Sequence, residues 1–462
     1  MMSTIKASLS KSILAASLSL AVLFAAPGQQ AHGEAVSQAQ VSRLSIHSPQ
    51  ENYALFLKEK FQIEIGDSIT KGDFIQAVAQ ALNIRPSENA PLPFTDLDAA
   101  SPAYAASVAL HEQGILTASE VHADRRLDVL QAAFIAVKAA GLKELAYTYP
   151  NDKVEAALSK LGLNPAAFDF SAAQEIAAAV DNGLIAPAYY GIFSGNPPAT
   201  KAFTEELLGK VLALKGQYKH YLGEVNDPDI YGKLAQAYRT SDIIEAPALQ
   251  QIVNNALENG LVTGYNLKDS RFDPNFIDSL SLTYGHSNIE HALQLVGLLR
   301  SEGLNAKVQL EPKTSAFIHL AEWGKPEESE TNKLTQIANG NYIFSAKEYD
   351  LSLEFENAGD KERFQSVILQ YAKKNSEDQT GLIVHSWWQP LYYSLTEIDD
   401  YEIIANNKIV DGHYYAQSFT LQEDSESIAE GFRNLSPDIE VINYTFWVDK
   451  PFYHYLTGED FK

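Results

Sequence analysis

The sequence predicts a multi-domain chain. An N-terminal all-α array of three helical repeat units covers residues 67–278, and a C-terminal α+β sheet domain covers 279–462. Three observations predict this. Helix-patterned stretches end at Gly114, Gly183 and Gly260, at intervals of 69 and 77 residues, and regular spacing of helix pairs marks units that bury their faces against one another. After Pro274 the apolar period changes, and residues alternate as they do in strands. At 462 residues the chain also exceeds one ordinary core.

The elements follow in order. Lys6 and Lys11 precede the mostly apolar stretch Ser12–Ala26, and small residues follow at Ala31, Gly33 and Ala35. This reads as a signal peptide over 1–35, its apolar part shorter than the ~20 residues a bilayer span needs. Residues 36–66 read as a linker with a short helix around Tyr53–Phe61. Thr70 caps the next helix, with Asp73 three residues on and Phe74, Val78 and Leu82 at helical spacing. Pro86, Pro91 and Pro93 break the chain; Ser101-Pro102 opens a second helix that Gly114 ends. Leu130, Phe134 and Val137 mark the middle unit's first helix, and Ile176 and Val180 its last. The third unit opens at Thr200-Lys201 and closes with Leu249, Val253 and Leu257 before Gly260.

Beyond Pro274, strands are expected at 280–284, 306–320, 349–355, 381–395, 402–410, 413–421 and 439–448, rich in β-branched and aromatic residues. Helices are expected at 288–303, 360–374 and 425–435, and 321–341 reads as an acidic loop. Strand–helix–strand successions predict a sheet with helices on one face, for which a ferredoxin-like plan is one candidate.

Composition excludes several functions. The formal net charge of -24 predicts repulsion from nucleic acid and from anionic membranes. The absence of cysteine rules out disulfides, a thiol nucleophile and Cys-ligated metals. No later run is apolar enough to span a bilayer, so no membrane contact is expected once a signal is removed. No cofactor is expected, since no glycine loop of phosphate-binding type occurs. His286 and His291 are five apart, which is not the i, i+4 ligand spacing, and no metal site is expected. Glu354 and Glu356 share a strand face as a hydrolase acid/base pair would, although charge on the solvent face of an amphipathic strand is the simpler explanation. The aromatics of the C-terminal region, including Trp387-Trp388, read as sheet core.

The first half resembles S-layer homology repeats. Their pattern runs Phe-x-Asp-Val, a helix, Gly-Ile-Ile-x-Gly-Tyr, Phe-x-Pro, then Thr-Arg-Ala-Glu opening the next helix. Phe94-Thr95-Asp96-Leu97 matches the first part. Gly260-Leu261-Val262-Thr263-Gly264-Tyr265 with Phe272-Asp273-Pro274 is the closest match to the second. Ile69-Thr70-Lys71-Gly72-Asp73-Phe74 stands where Ile-Thr-Arg-Ala-Glu-Phe would be, and Thr200-Lys201-Ala202 is a second such start. The family's sugar-contacting arginine is Lys71 and Lys201 here, and Val129 stands in its place in the middle unit. A lysine meets an anion as a point charge without arginine's fork.

The resemblance implies an exported protein bound non-covalently to the wall of a Gram-positive cell. The ligand would be a secondary cell-wall polysaccharide, acidic or pyruvylated, and the implied binding residues are Thr70, Lys71, Asp73, Asp96, Thr200, Lys201, Gly264 and Tyr265. Residues 279–462 would act in surface assembly or ligand contact. The alternatives are a wall-acting hydrolase carried by the repeats, and a secreted protein whose repeats are scaffold only.

Overall fold

A computed structural model describes residues 51–88, 94–371 and 391–459. The expected signal segment, residues 36–50 of the expected linker, Pro91, Pro93 and Trp387-Trp388 lie outside these residues.

The N-terminal part consists of helices α1 (Tyr53–Phe61), α2 (Lys71–Ala81), α3 (Tyr104–Glu112), α4 (Val129–Ala139), α5 (Lys143–Ala146), α6 (Asn151–Lys160), α7 (Phe170–Asp181) and α8 (Lys201–Leu214). Three helix starts share one construction. Thr70, Asp128 and Thr200 cap α2, α4 and α8 by accepting from Asp73 N, Gln131 N and Phe203 N. The strand-like residues before them are laced together, with Leu127 N donating to Ile69 O (3.1 Å) and Ala199 N to Leu127 O (2.8 Å). The three capped helices pack on one another, and each has a partner: α3 on α2, α7 on α4, and α1 on α8. One core holds them, with Phe56, Phe74, Phe193 and Phe203 fully buried.

The rest is built round a barrel. Its strands are β1 (Gly223–Glu224), β2 (Gly264–Asp269), β3 (Ser281–His286), β4 (Ala306–His319), β5 (Asn332–Gln336), β6 (Tyr342–Phe355), β7 (Leu391–Ser394), β8 (Glu402–Asp411), β9 (Tyr414–Thr420) and β10 (Glu440–Val448). All pairings are antiparallel, in the cyclic order β4-β2-β9-β8-β10-β7-β3-β6, and β6 returns to β4 along its whole length, from Ala306 opposite Phe355 to His319 opposite Tyr342. Eight strands therefore close into a ring, with β1 and β5 as short additions on β4 and β6. Outside lie α9 (Ile230–Thr240), α10 (Pro247–Glu258), α11 (Ile289–Ser301), α12 (Ala358–Tyr371), α13 (Ser425–Leu435) and α14 (Lys450–Thr457). One apolar layer joins α9, α11 and α12 to Leu282, Val308, Leu351 and Leu353; another joins α10 and α13 to Leu267, Ala316 and Ile409.

The barrel overturns the expected fold class, which was a helical repeat array followed by a ferredoxin-like α+β sheet. A closed ring has no free face for helices to gather on, and these helices cover two flanks. The third unit also departs from expectation. Leu249, Val253 and Leu257 of α10 pack on the barrel, and Gly264-Tyr265 opens the barrel strand β2. The helix that completes α8 is α1, from the segment expected to be linker. Segments α9, β2, β5 and α14 were not anticipated, and of the strand expected over 381–395 the described part is β7.

Candidate functional site

Two concavities collect polar side chains. The larger, of about 390 Å³, lies between the first two helical units. Lys71 at the start of α2 lines it, with Phe94, Glu120 and Val121 from the loops on either side of α3. Gln131, Phe134 and Lys138 of α4, Lys143 and Tyr147 beside α5, and Glu175 of α7 complete the wall.

The charges in this groove sort into engaged and free groups. Lys138 bonds Glu175 at 3.0 Å, and Tyr147 OH donates to the other oxygen of that carboxylate at 3.0 Å. Glu120 stands 3.3 Å from His122. Among the described residues Lys71 and Lys143 make no ion pair; Lys143 Nζ lies 5.9 Å from the centroid of the Tyr147 ring. Burial lowers the Lys71 amine below its ordinary pKa despite nearby Asp96 and Asp128. Gln131 Oε1 is buried without a hydrogen-bond partner. Among the described residues the groove thus offers two amines without an ion pair, flat aromatic walls and one unused acceptor.

The backbone around Lys71 is already committed. Lys71 N and Gly72 N donate to Arg125 O and Ala123 O, both at 2.9 Å. An anion here would meet the amine rather than the helix-start amides. Gly72 sits at a close approach, since a Cβ would lie 3.1 Å from Ala103 Cβ, Ala123 Cβ and Ala123 O and would push these neighbours back. This explains why glycine stands where the resembling pattern has alanine.

The other expected residues serve other ends. Thr70 and Asp73 form a reciprocal capping box. Asp96 accepts from Val121 N (2.8 Å) and His122 N (2.7 Å), fixing the loop that floors the groove. Thr200 caps α8, and half-exposed Lys201 stands 3.9 Å from Glu205, outside the groove. Gly264 and Tyr265 belong to the barrel, where the buried Tyr265 donates to Asn254 Oδ1 at 2.6 Å. The structure therefore brings Lys71 together with Lys138, Lys143, Gln131 and Glu175, none of which the sequence singled out. Their one signal is helical spacing on α4, where Gln131, Phe134 and Lys138 share a face that core residues also occupy.

The second concavity is the barrel's interior. Alternate residues of β4 and β6 point inward, and they are charged: Glu311 and Lys313 on β4, Glu348, Asp350 and Glu354 on β6. Lys268 of β2 bonds Glu311 (2.8 Å) and Asp350 (2.9 Å), and Lys313 bonds Asp350 at 2.8 Å. Tyr393 OH reaches Asp350 at 3.0 Å across the lumen. Burial works against Asp350's charge, but Lys268 and Lys313 hold its carboxyl well below the usual range, while burial pushes Glu311 and Glu348 up. At the end nearest the helical units, Glu354 accepts from Lys219 Nζ and Ile277 N, both at 2.8 Å. Glu354 is thus a lumen residue, not the solvent-facing charge its strand pattern suggested, and the exposed Glu356 beyond it bonds Asn305. At the opposite end a cavity of about 60 Å³ is lined by Gly264, Asn266, Glu348, Gln417 and the aromatic side chains Phe419, Phe452 and Tyr455.

His286 and His291 stack on one another with centroids 3.9 Å apart. Among the described residues no group of His, Asp and Glu is placed to hold a metal, and no helix is long and apolar enough to cross a membrane. In comparisons with known proteins, no family model matches the chain and no curated protein matches it, so the S-layer homology resemblance rests on the residues quoted for it.

Proposed function

We propose that this is an exported surface protein held non-covalently to an acidic cell-wall polysaccharide through the groove at Lys71. The observation that carries the reading is the pair of amines, Lys71 and Lys143, that make no ion pair among the described residues and are set among Phe94, Phe134 and Tyr147 in about 390 Å³. A saccharide bearing a carboxylate or pyruvate ketal matches both features. Its anionic group would pair with the amines, and its apolar sugar face would stack on the rings. The chain's net charge of -24 opposes this at long range, but screening confines that repulsion to about 8 Å at physiological salt. Lys71 stands where the resembling repeats place their sugar-contacting arginine, which supports the same ligand class. The barrel would then be the part displayed at the wall.

The test is co-sedimentation of the full chain with purified Gram-positive cell walls. Lys71→Ala with Lys143→Ala is expected to release the protein, Lys71→Arg to retain it, and Lys201→Ala to have little effect. Sedimentation unchanged in the double alanine variant would show that the groove does not hold the wall.

A further inference from the structure

The barrel's open end carries chemistry that the wall-binding reading does not use. Glu348 and Gln417 are buried, at 4% and 6% exposure, and both line the cavity of about 60 Å³. Glu348 has one carboxylate oxygen engaged and one left over; Gln417 has its amide nitrogen engaged and its oxygen left over. Glu348 Oε2 accepts from Ser315 Oγ and stands 3.6 Å from Lys313 Nζ. Gln417 Nε2 donates to Tyr444 OH at 3.3 Å. Among the described residues, Glu348 Oε1 and Gln417 Oε1 are buried and accept no hydrogen bond. Buried acceptors are almost always satisfied, so two on one small cavity call for an occupant that donates.

The charge balance narrows the occupant. In the bonded lumen set, Glu311, Glu348 and Asp350 face only Lys268 and Lys313. A further lumen amine, Lys408, lies 4.0 Å from the centroid of the Tyr415 ring; it attracts Glu311 electrostatically but bonds no carboxylate among the described residues. A water could donate to the two oxygens but would leave Glu348, which burial pushes toward its neutral form, with only the more distant Lys313 to hold its charge. Lys313 and Ser315 also line the cavity, both turned to Glu348 Oε2, and the apolar wall is Phe419, Phe452, Tyr455 and Leu456, the last three from α14. Aromatic faces attract a desolvated cation and do little for a neutral donor.

We propose that the open end of the barrel binds a primary alkylammonium group, with Glu348 Oε1 and Gln417 Oε1 accepting its N–H bonds and the α14 aromatics covering it. The cavity admits an amine head with a short alkyl stem. The source could be a free amine or the amino group of a de-acetylated sugar, which present the same –CH–NH3+ chemistry.

The test is calorimetric titration of the full chain at physiological salt with ethylammonium chloride, and with ethanol and acetate as neutral and anionic matches. Glucosamine and putrescine distinguish the two sources, since a sugar ring and a linear chain differ in what the α14 cover admits. Ethylammonium is expected to bind with a Kd near 1 mM, about the ceiling for so few heavy atoms, and at least about tenfold tighter than ethanol or acetate. Glu348→Gln, with its circular dichroism unchanged, is expected to lose about tenfold or more, because the anionic partner is gone while the shape is kept. Ethanol binding as well as ethylammonium would overturn the proposal, as would no detectable ethylammonium binding to the wild-type chain. A folded Glu348→Gln variant with wild-type affinity would also overturn it. If that variant does not fold, the wild-type ranking of the three probes decides alone.

Discussion

Lys361 shows how burial without a carboxylate sets a residue's behaviour. It is 4% exposed, and its amine is held by Ser394 Oγ at 2.9 Å and Thr396 Oγ1 at 2.8 Å. Burial lowers its pKa from 10.5 to about 8. The folded value lies below the unfolded one, so between those two values the unfolded chain holds more protons and this group's contribution to stability rises with pH. Compared with Lys361→Met, the wild-type chain is expected to gain about 2 kcal/mol of stability between pH 7 and pH 10, read from urea denaturation of both proteins. A difference independent of pH would show the amine to be solvated. Asp350 poses the opposite case, a carboxylate shared by Lys268 and Lys313. Asp350→Asn removes the carboxylate that both amines share, leaving Lys268 with Glu311 and Lys313 with Glu348 at 3.6 Å, and is expected to cost about 3–5 kcal/mol. Replacing Lys268, Lys313 and Asp350 together by apolar residues should cost less than that single change, which a urea titration of both variants checks.

At the scale of elements, the N-terminal helix α1 does what α3 and α7 do for their partners. After α3 and α7 the chain turns through Gly114 and Gly183, at φ 68 and 69; after α1 it turns through Gln62 at φ 53. A side chain in the left-handed region costs about 1 kcal/mol. Gln62→Gly is therefore expected to stabilise the protein by about 0.5–1 kcal/mol, less the unfolded-state entropy that glycine adds. Thermal denaturation of the two proteins tests this, and a lowered midpoint would contradict it. Gln62 also explains why this helix was not recognised as part of a repeat, because the terminating glycine that marks the others is missing. What was legible were the local signals. The caps at Thr70 and Thr200, the helix over Tyr53–Phe61, and the strands in β4, β8, β9 and β10 all follow from spacing and turn chemistry. Partner choice was not legible. The pattern of α10 shows an apolar stripe but not whether Leu249 and Val253 meet helices or a sheet. The alternation in β6 shows two faces, one apolar and one charged, but a closed lumen and open solvent impose the same pattern.

Across the whole molecule, the helical units and the barrel meet through Ile277 and Leu280, buried in the helical core just before β3, and through polar side chains. Lys60 bonds Asp278 at 2.6 Å, Tyr218 donates to Glu51 at 2.7 Å, and Lys219 enters the barrel's base to reach Glu354. The groove at Lys71 and the cavity at Glu348 belong to different parts of the fold. The ligand class of the groove was readable only through Lys71, since Lys143, Gln131 and Glu175 join it by tertiary packing alone. Wall binding is tested by calorimetric titration of the full chain with a pyruvylated wall saccharide, and with the same saccharide after removal of its pyruvate. Binding is expected to weaken about tenfold or more on loss of the pyruvate charge or in Lys71→Ala. Equal affinity for both saccharides, unaffected by Lys71→Ala, would contradict it.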